Sequence, residues 1–241
     1  MGNVKKDNLI DFLQIKNQTE TSVDLYFYGD IVSNWSGAWE EVDQYPERVR
    51  DFLKEHKGKD LNIYINSGGG SVFAGMAIYN MLKRHSGYKT VYVEGLAGSI
   101  ASVIAMAGDT IIIPRNSFLM IHKPLVGVFG NANSLRENAD LLDKIENAII
   151  DVYETKIHEG ISLETIKKMV DEETWINGEE ASKFFKVEVT EENKAIAKIS
   201  SEYLENNAKE IPKELKQCEE PVILTNYNVD YYKAKLKMLE M

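Results

Sequence analysis

The chain has 241 residues, 44% of them apolar, and 28 Lys and Arg against 38 Asp and Glu give a formal net charge of −10. That length fills one sizeable domain with room for an appendage, and the apolar share suffices for a large core. An acidic balance excludes broad binding to a phosphate backbone, which needs a clustered positive face, so no nucleic-acid partner is expected.

The opening residues, MGNVKKDNLIDFL, contain no long apolar run and read as no secretory signal; residues 1–21 are expected to form a polar N-terminal extension. Residues 23–28 (VDLYFY) have strand composition and end at the turn Gly29-Asp30. Residues 39–54 read as a helix in which Pro46 is a break or a start. A short apolar strand, 61–65 (LNIYI), runs into Asn66-Ser67-Gly68-Gly69-Gly70-Ser71, and helical spacing returns over 72–83. A strand at 90–93 leads into Glu94-Gly95-Leu96-Ala97-Gly98-Ser99, followed by a buried helix over 100–106 that stops at Gly108. The stretch 100–113 is too short, and too broken by Ser102, Gly108, Asp109 and Thr110, to span a bilayer, so no membrane is expected.

Residues 110–113 form a strand closed by Pro114, and 118–122 one closed by Lys123-Pro124. A long helix is predicted over 133–158, with Leu135, Leu142, Ile145, Ile149 and Val152 at helical intervals and Gly160 as its cap. A shorter helix covers 162–170, and Asn177 with Glu180 forms a capping box that opens a helix through Phe185. From 191 onward, charged helical stretches broken by Pro212 and Pro221, with a small apolar island at Val222-Ile223-Leu224, read as a C-terminal appendage over 191–241. The central domain is then 22–190. Strands alternating with helices predict βαβ units in an α/β protein with a mostly parallel sheet or stack. One cysteine, Cys218, permits no disulfide framework and, with the absence of a signal, predicts a soluble cytoplasmic protein.

Three strand ends carry the unusual residues. The glycine run can approach a ligand closely, and a glycine turn before a helix presents unpaired N–H groups to a phosphate or an oxyanion. No Gly-Lys-Ser/Thr follows, so it is no P-loop, and Phe73 occupies the third glycine position of a dinucleotide fingerprint. Its bland reading is a strand-to-helix turn. Ser99 stands where a strand and tight turn give way to a helix. It is either a helix N-cap or, as in a nucleophile elbow, a serine whose Oγ is exposed beside the Ile100 N–H. Ser102, one turn on, is the runner-up serine. His122 ends its strand on the sheet rim, where sites gather. His56, His85 and His158 lie in polar surroundings and read as solvated.

Taken together in order, residues 61–188 resemble the Clp protease family within the Clp/crotonase fold. The resemblance rests on Tyr64-Ile65-Asn66-Ser67-Gly68-Gly69-Gly70, Ala74-Gly75-Met76-Ala77-Ile78-Tyr79 and Gly95-Leu96-Ala97-Gly98-Ser99-Ile100-Ala101-Ser102. It continues through Pro114-Arg115-Asn116-Ser117, Met120-Ile121-His122-Lys123-Pro124 and Trp175-Ile176-Asn177-Gly178-Glu179-Glu180-Ala181. The nearest likeness is to the phage and prophage head-maturation branch. It implies repeated ββα/βαβ units with a C-terminal helical appendage.

The resemblance further implies a serine endopeptidase, ATP-independent or partner-assisted, cleaving unfolded or scaffold polypeptides through an acyl-enzyme on Ser99. His122 would be the general base, and the backbone N–H groups of Gly70 and Ile100 the oxyanion hole. Matching Trp175 to the family's Phe puts Glu173 at the third triad position, where the family has aspartate, with Asp171 as second choice. Neither a cofactor nor a metal is implied. A homo-oligomeric ring is, with helix 133–158 either packed on its own core or serving as a handle against a second ring. The turn Asp30-Ile31-Val32-Ser33-Asn34 lacks an ATPase-docking signature, which argues against a Clp ATPase partner. The alternatives are a crotonase-like acyl-CoA enzyme and an inactive capsid-assembly or scaffold component with the same fold.

Overall fold

A computed structural model describes residues 21–191 apart from 39 and 41. The expected N-terminal extension and C-terminal appendage, with the island at Val222-Ile223-Leu224, therefore lie outside the described residues except at Thr21 and Glu191. Among the described residues, seven strands and six α-helices follow in the order β1 (Ser22–Phe27), α1 (Pro46–Glu55), β2 (Asp60–Ser67), α2 (Val72–Arg84), β3 (Lys89–Gly98) and α3 (Ile100–Ala105). Then come β4 (Thr110–Pro114), β5 (Phe118–Ile121), α4 (Ala132–Glu154), α5 (Leu163–Asp171), β6 (Thr174–Asn177), α6 (Gly178–Ala181) and β7 (Glu188–Thr190).

The sheet runs β1-β2-β3-β4-β7 with every neighbour parallel. β3 carries two partners on successive parts of its length. Thr90–Tyr92 pairs with β4, and Leu96–Gly98 pairs with β5. β6 then closes antiparallel on β5. This is the mixed α/β architecture expected of the Clp/crotonase fold.

Alternation decides which face is buried. Val23, Leu25 and Phe27 of β1, Leu61, Ile63 and Ile65 of β2, and Val91 and Val93 of β3 all face the core. Each such side chain contributes roughly 1.5–3 kcal/mol on burial. The other face holds Tyr26, Tyr64 and Tyr92, which the parallel register sets side by side; their rings stack at 4.8 and 5.1 Å. Helix α3 is buried on every side, Ser102 included, and packs against α2 where Gly75 admits Ile100.

Three helix boundaries differ from expectation. α1 starts at Pro46 in the N1 position, where its missing N–H costs nothing, so the helix is the shorter one that Pro46 opens. The long helix ends at Glu154, not at 158. The chain there turns to pair with the 184–185 segment, with His158 N–H donating to the Phe184 carbonyl and Ile157 bridging Phe185. Gly160, at φ 89°, lies in the following turn and does not cap α4. The capping box on α6 is present, with Asn177 and Glu180 satisfying each other's amides, but the helix closes after Ala181 and continues only as turns to Phe185.

α4 buries Ile149, Ile150, Val152 and Tyr153 at its C-terminal end only. Leu135 and Leu141 on its N-terminal half are exposed, as are Leu125 and Phe129 in the segment before it. Among the described residues, no helix is long and apolar enough to cross a membrane.

Candidate active site

The register of β3 and β5 brings two of the three unusual strand ends together. Gly98 is the partner of Met120, and the Ser99 N–H donates to the Met120 carbonyl at 2.8 Å. Parallel strands run in step, so His122, two residues beyond Met120, arrives beside the serine. His122 Nε2 lies 2.7 Å from Ser99 Oγ.

Ser99 does not act as a capping residue. Its side chain makes no cap hydrogen bond to α3, and its backbone sits at φ 52°, ψ −126°, a conformation costly for any residue with a Cβ. A strained strand-to-helix turn of this kind is the backbone that a nucleophile elbow requires. The runner-up, Ser102, is fully buried, and its hydroxyl is engaged by the Tyr153 hydroxyl and the Ser99 carbonyl. It has no access to a substrate.

The third strand end, the glycine turn, packs directly on the serine turn. A Cβ on Gly69 would meet Ser99 Cβ at 2.7 Å, and one on Gly98 would meet the Gly68 carbonyl oxygen at 3.1 Å. The turn is held from behind. Ser67 Oγ donates to the Gly29 carbonyl at 2.6 Å and accepts the Gly69 N–H at 3.1 Å. Ile31 donates to the Gly69 carbonyl at 2.8 Å and accepts from Ser71 N–H at 2.7 Å. In such a parallel bridge the flanking residues make both bonds, so the N–H of the middle residue, Gly70, points away from Ile31. Ile100 opens α3, and the first N–H groups of a helix have no intrahelical acceptor.

The acids divide cleanly. Ile121 pairs with Thr174 in the antiparallel β5–β6 ladder, so the preceding residue, Glu173, stands across from His122. Its Oε2 is 3.9 Å from His122 Nδ1, the nitrogen turned away from Ser99. Asp171 instead forms an ion pair with Lys123, whose ammonium is also 3.8 Å from Glu146. Glu173 adopts φ 49°, a second left-handed non-glycine backbone at the same site. Beside Ser99 and His122 lies a small pocket walled by Val72, Ile100, Val103, Pro124, Ile149 and Tyr153.

The remaining histidines are half-buried, and each makes a contact within the fold. His85 Nε2 is 2.7 Å from the Lys59 carbonyl, His158 Nε2 is 3.1 Å from the Ser182 carbonyl, and His56 packs edge-on to Phe52. Sequence reasoning missed Tyr153 as a wall of the site, although it sits one helical turn after Ile149 on the apolar side of α4. It also missed Lys123 as the group that occupies Asp171.

The Clp protease family model matches residues 51–192, more than half of the chain. An ATP-dependent Clp protease proteolytic subunit from Bacteroides fragilis is 33% identical over 130 residues, covering 53% of this chain and 61% of the relative. Two further relatives are named as ATP-dependent Clp protease proteolytic subunit 1. The one from Chlamydia abortus is 36% identical over 132 residues (53% of this chain, 67% of the relative). That from Chlamydia trachomatis is 37% identical over 135 residues (53% of this chain, 67% of the relative). The chain thus spans about three fifths of the Bacteroides relative's length. The matched segment contains the glycine turn, Ser99, His122 and Glu173, and the chain belongs to the Clp protease family.

Proposed function

We propose that the protein is a serine endopeptidase in which Ser99 attacks the scissile carbonyl and His122 is the general base. A serine hydroxyl is a weak nucleophile until a neighbouring base takes its proton, and the 2.7 Å contact supplies that base. The bond from Oγ to carbonyl carbon forms as the proton passes to Nε2. The resulting oxyanion is received by the N–H groups of Gly70 and Ile100. Collapse of the tetrahedral intermediate breaks the C–N bond, the imidazolium returns its proton to the leaving amine, and water repeats the sequence on the acyl-enzyme. Glu173 balances the imidazolium from the Nδ1 side. The pocket beside Ser99 is walled by apolar side chains, which suits an apolar residue of an unfolded or scaffold polypeptide.

A ring of identical chains fits the exposed Leu125, Phe129, Leu135 and Leu141, which cluster in and before the half of α4 that buries nothing on its own subunit. In this reading α4 is a handle, and assembly encloses the site.

The observation that carries the proposal is a strained, non-capping Ser99 whose hydroxyl meets His122. Treatment of intact protein with a fluorophosphonate probe, followed by mass mapping, is expected to label Ser99. Ser99→Ala is expected to abolish both labelling and peptide cleavage. Labelling that persists in Ser99→Ala would overturn the assignment.

A further inference from the structure

The buried pair Ser102 and Tyr153 takes no part in the chemistry above, yet it ends on the peptide unit that does. Ser102 is 0% exposed and Tyr153 1%. Ser102 Oγ donates to the Ser99 carbonyl, which also accepts the Ser102 N–H at 3.0 Å. A carbonyl can only accept, so the single Ser102 hydroxyl proton is committed to it. The 2.7 Å contact between Ser102 Oγ and the Tyr153 hydroxyl must then have Tyr153 as donor. Burial pushes the Tyr153 phenol up, which keeps that donor protonated. Its ring rests against Phe185 at 5.9 Å. All three groups thus form one chain with a single direction, Tyr153 O–H to Ser102 O–H to the Ser99 C=O.

The Ser99 C=O and the Ile100 N–H belong to the same peptide. A trans peptide is planar, so the two bonds point in opposite directions, and fixing one fixes the other. Hydrogen bonds accepted by the carbonyl also polarise the N–H, since chains of hydrogen bonds strengthen one another in a low-dielectric interior. We propose that Ser102 and Tyr153 are positioning residues for the oxyanion hole: their buried hydroxyl chain orients and polarises the Ile100 N–H by holding the Ser99 carbonyl. This rests on the peptidase reading, in which Ile100 N–H receives the oxyanion. It also ties the hole to α4, because Tyr153 lies in the last turn of that helix, the part that docks on the body of the subunit.

A hydroxyl pair that only satisfied buried polar atoms would affect folding alone. A positioning pair must affect the transition state and spare ground-state binding. Steady-state peptide hydrolysis and fluorophosphonate labelling rates are measured for the intact protein and for Ser102→Ala, Tyr153→Phe and the double variant, with melting curves to verify folding. Ser102→Ala is expected to lower kcat and the labelling rate in parallel by about tenfold, with KM within about twofold, less than the loss of a hole donor itself. Tyr153→Phe, which keeps the ring and its packing, is expected to show a smaller loss of the same kind. The double variant should be no slower than Ser102→Ala, because Tyr153 acts only through Ser102. Should Ser102→Ala fail to fold, Tyr153→Phe carries the test. Folded variants with unaltered kcat, or a loss confined to KM, overturn the relay while wild-type labelling at Ser99 leaves the peptidase reading standing. An inert, unlabelled wild-type protein sinks both.

Discussion

Glu173 faces His122 across the β5–β6 ladder, its Oε2 3.9 Å from Nδ1, while its side chain remains 60% exposed. At that distance its proposed role is one of charge and orientation, through partial solvent, and not of a short hydrogen bond. Glu173→Gln is therefore expected to lower kcat/KM on the order of tenfold, less than removal of a buried triad acid costs. Asp171→Asn breaks only the exposed pair with Lys123, and exposed pairs contribute little, so its kcat/KM should stay within about twofold of wild type. Steady-state hydrolysis of one peptide by both variants decides. A larger loss in Asp171→Asn than in Glu173→Gln reverses the assignment.

Lys89 and Asp109 make a separate, pH-dependent contribution to stability. The Lys89 side chain is 6% exposed, its ammonium 2.8 Å from Asp109 Oδ2 and 2.9 Å from the Gly87 carbonyl. Burial alone would raise the Asp109 carboxyl, but hydrogen bonds from the Lys89 side chain and amide, with the Lys89 charge, outweigh it and hold the group below its ordinary value. A carboxyl lowered on folding stabilises above its unfolded pKa, about 3.9, and loses that contribution as pH falls through its lower folded value. Asp109→Asn is expected to cost about 1–3 kcal/mol in urea unfolding at pH 7. The wild-type and variant curves should begin to approach each other below about pH 4 and meet only below the lower folded value. A gap that persists in acid would mean that packing, not charge, holds the pair.

The tyrosine stack offers a test of the outer sheet face. Tyr64 touches both Tyr26 and Tyr92, and burial, followed by the Asp24 charge, pushes its hydroxyl up to about 12. Aromatic pairs contribute about 0.5–1.5 kcal/mol each beyond their area. Tyr64→Ala should therefore lose roughly 1–3 kcal/mol before the lost burial is added, and Tyr64→Phe little. Urea midpoints measure both. In an absorbance titration, Tyr64→Phe should remove a late-ionising phenol and leave the early part of the curve unchanged.

What the sequence made legible was what short-range rules govern. Apolar composition marked 61–65 and 90–93 as strands, and the order of glycine turn, Ser99 and His122 marked the candidate site. The pairing of Ser99 with His122 depends on register, with Gly98 beside Met120, and no local pattern states a register. β6 and β7 span four and three residues, too few for a period to show, so neither was legible as a strand. The end of α4 was illegible because its stop is tertiary: the 155–158 segment leaves the helix to bond with Phe184 and Phe185. Glu173 could be reached only by matching Trp175 to a family pattern, since three acids in sequence look alike until Lys123 removes one of them.

Gly69 is where backbone freedom and the proposed chemistry meet most closely. It sits at φ 103°, a region L side chains avoid, and its missing Cβ would lie 2.7 Å from Ser99 Cβ and 2.8 Å from the Gly98 carbonyl oxygen. The atoms in the way are a β-carbon and backbone, neither of which can rotate aside. An alanine here must push the Ser99 turn and the glycine turn apart, and with them the hydroxyl, His122 and the two amides that the proposed mechanism needs to converge on one substrate atom. A displacement near 1 Å in such a constellation costs on the order of a hundredfold in rate. Gly69→Ala is therefore expected to lose about a hundredfold in kcat and in fluorophosphonate labelling. The strained backbone adds a stability loss of about 1–3 kcal/mol. Gly68 supplies the control, because a Cβ there meets nothing within 4 Å, so Gly68→Ala should keep near-normal labelling. Equal labelling rates in the two variants would show that close approach of the turns does not set the position of Ser99.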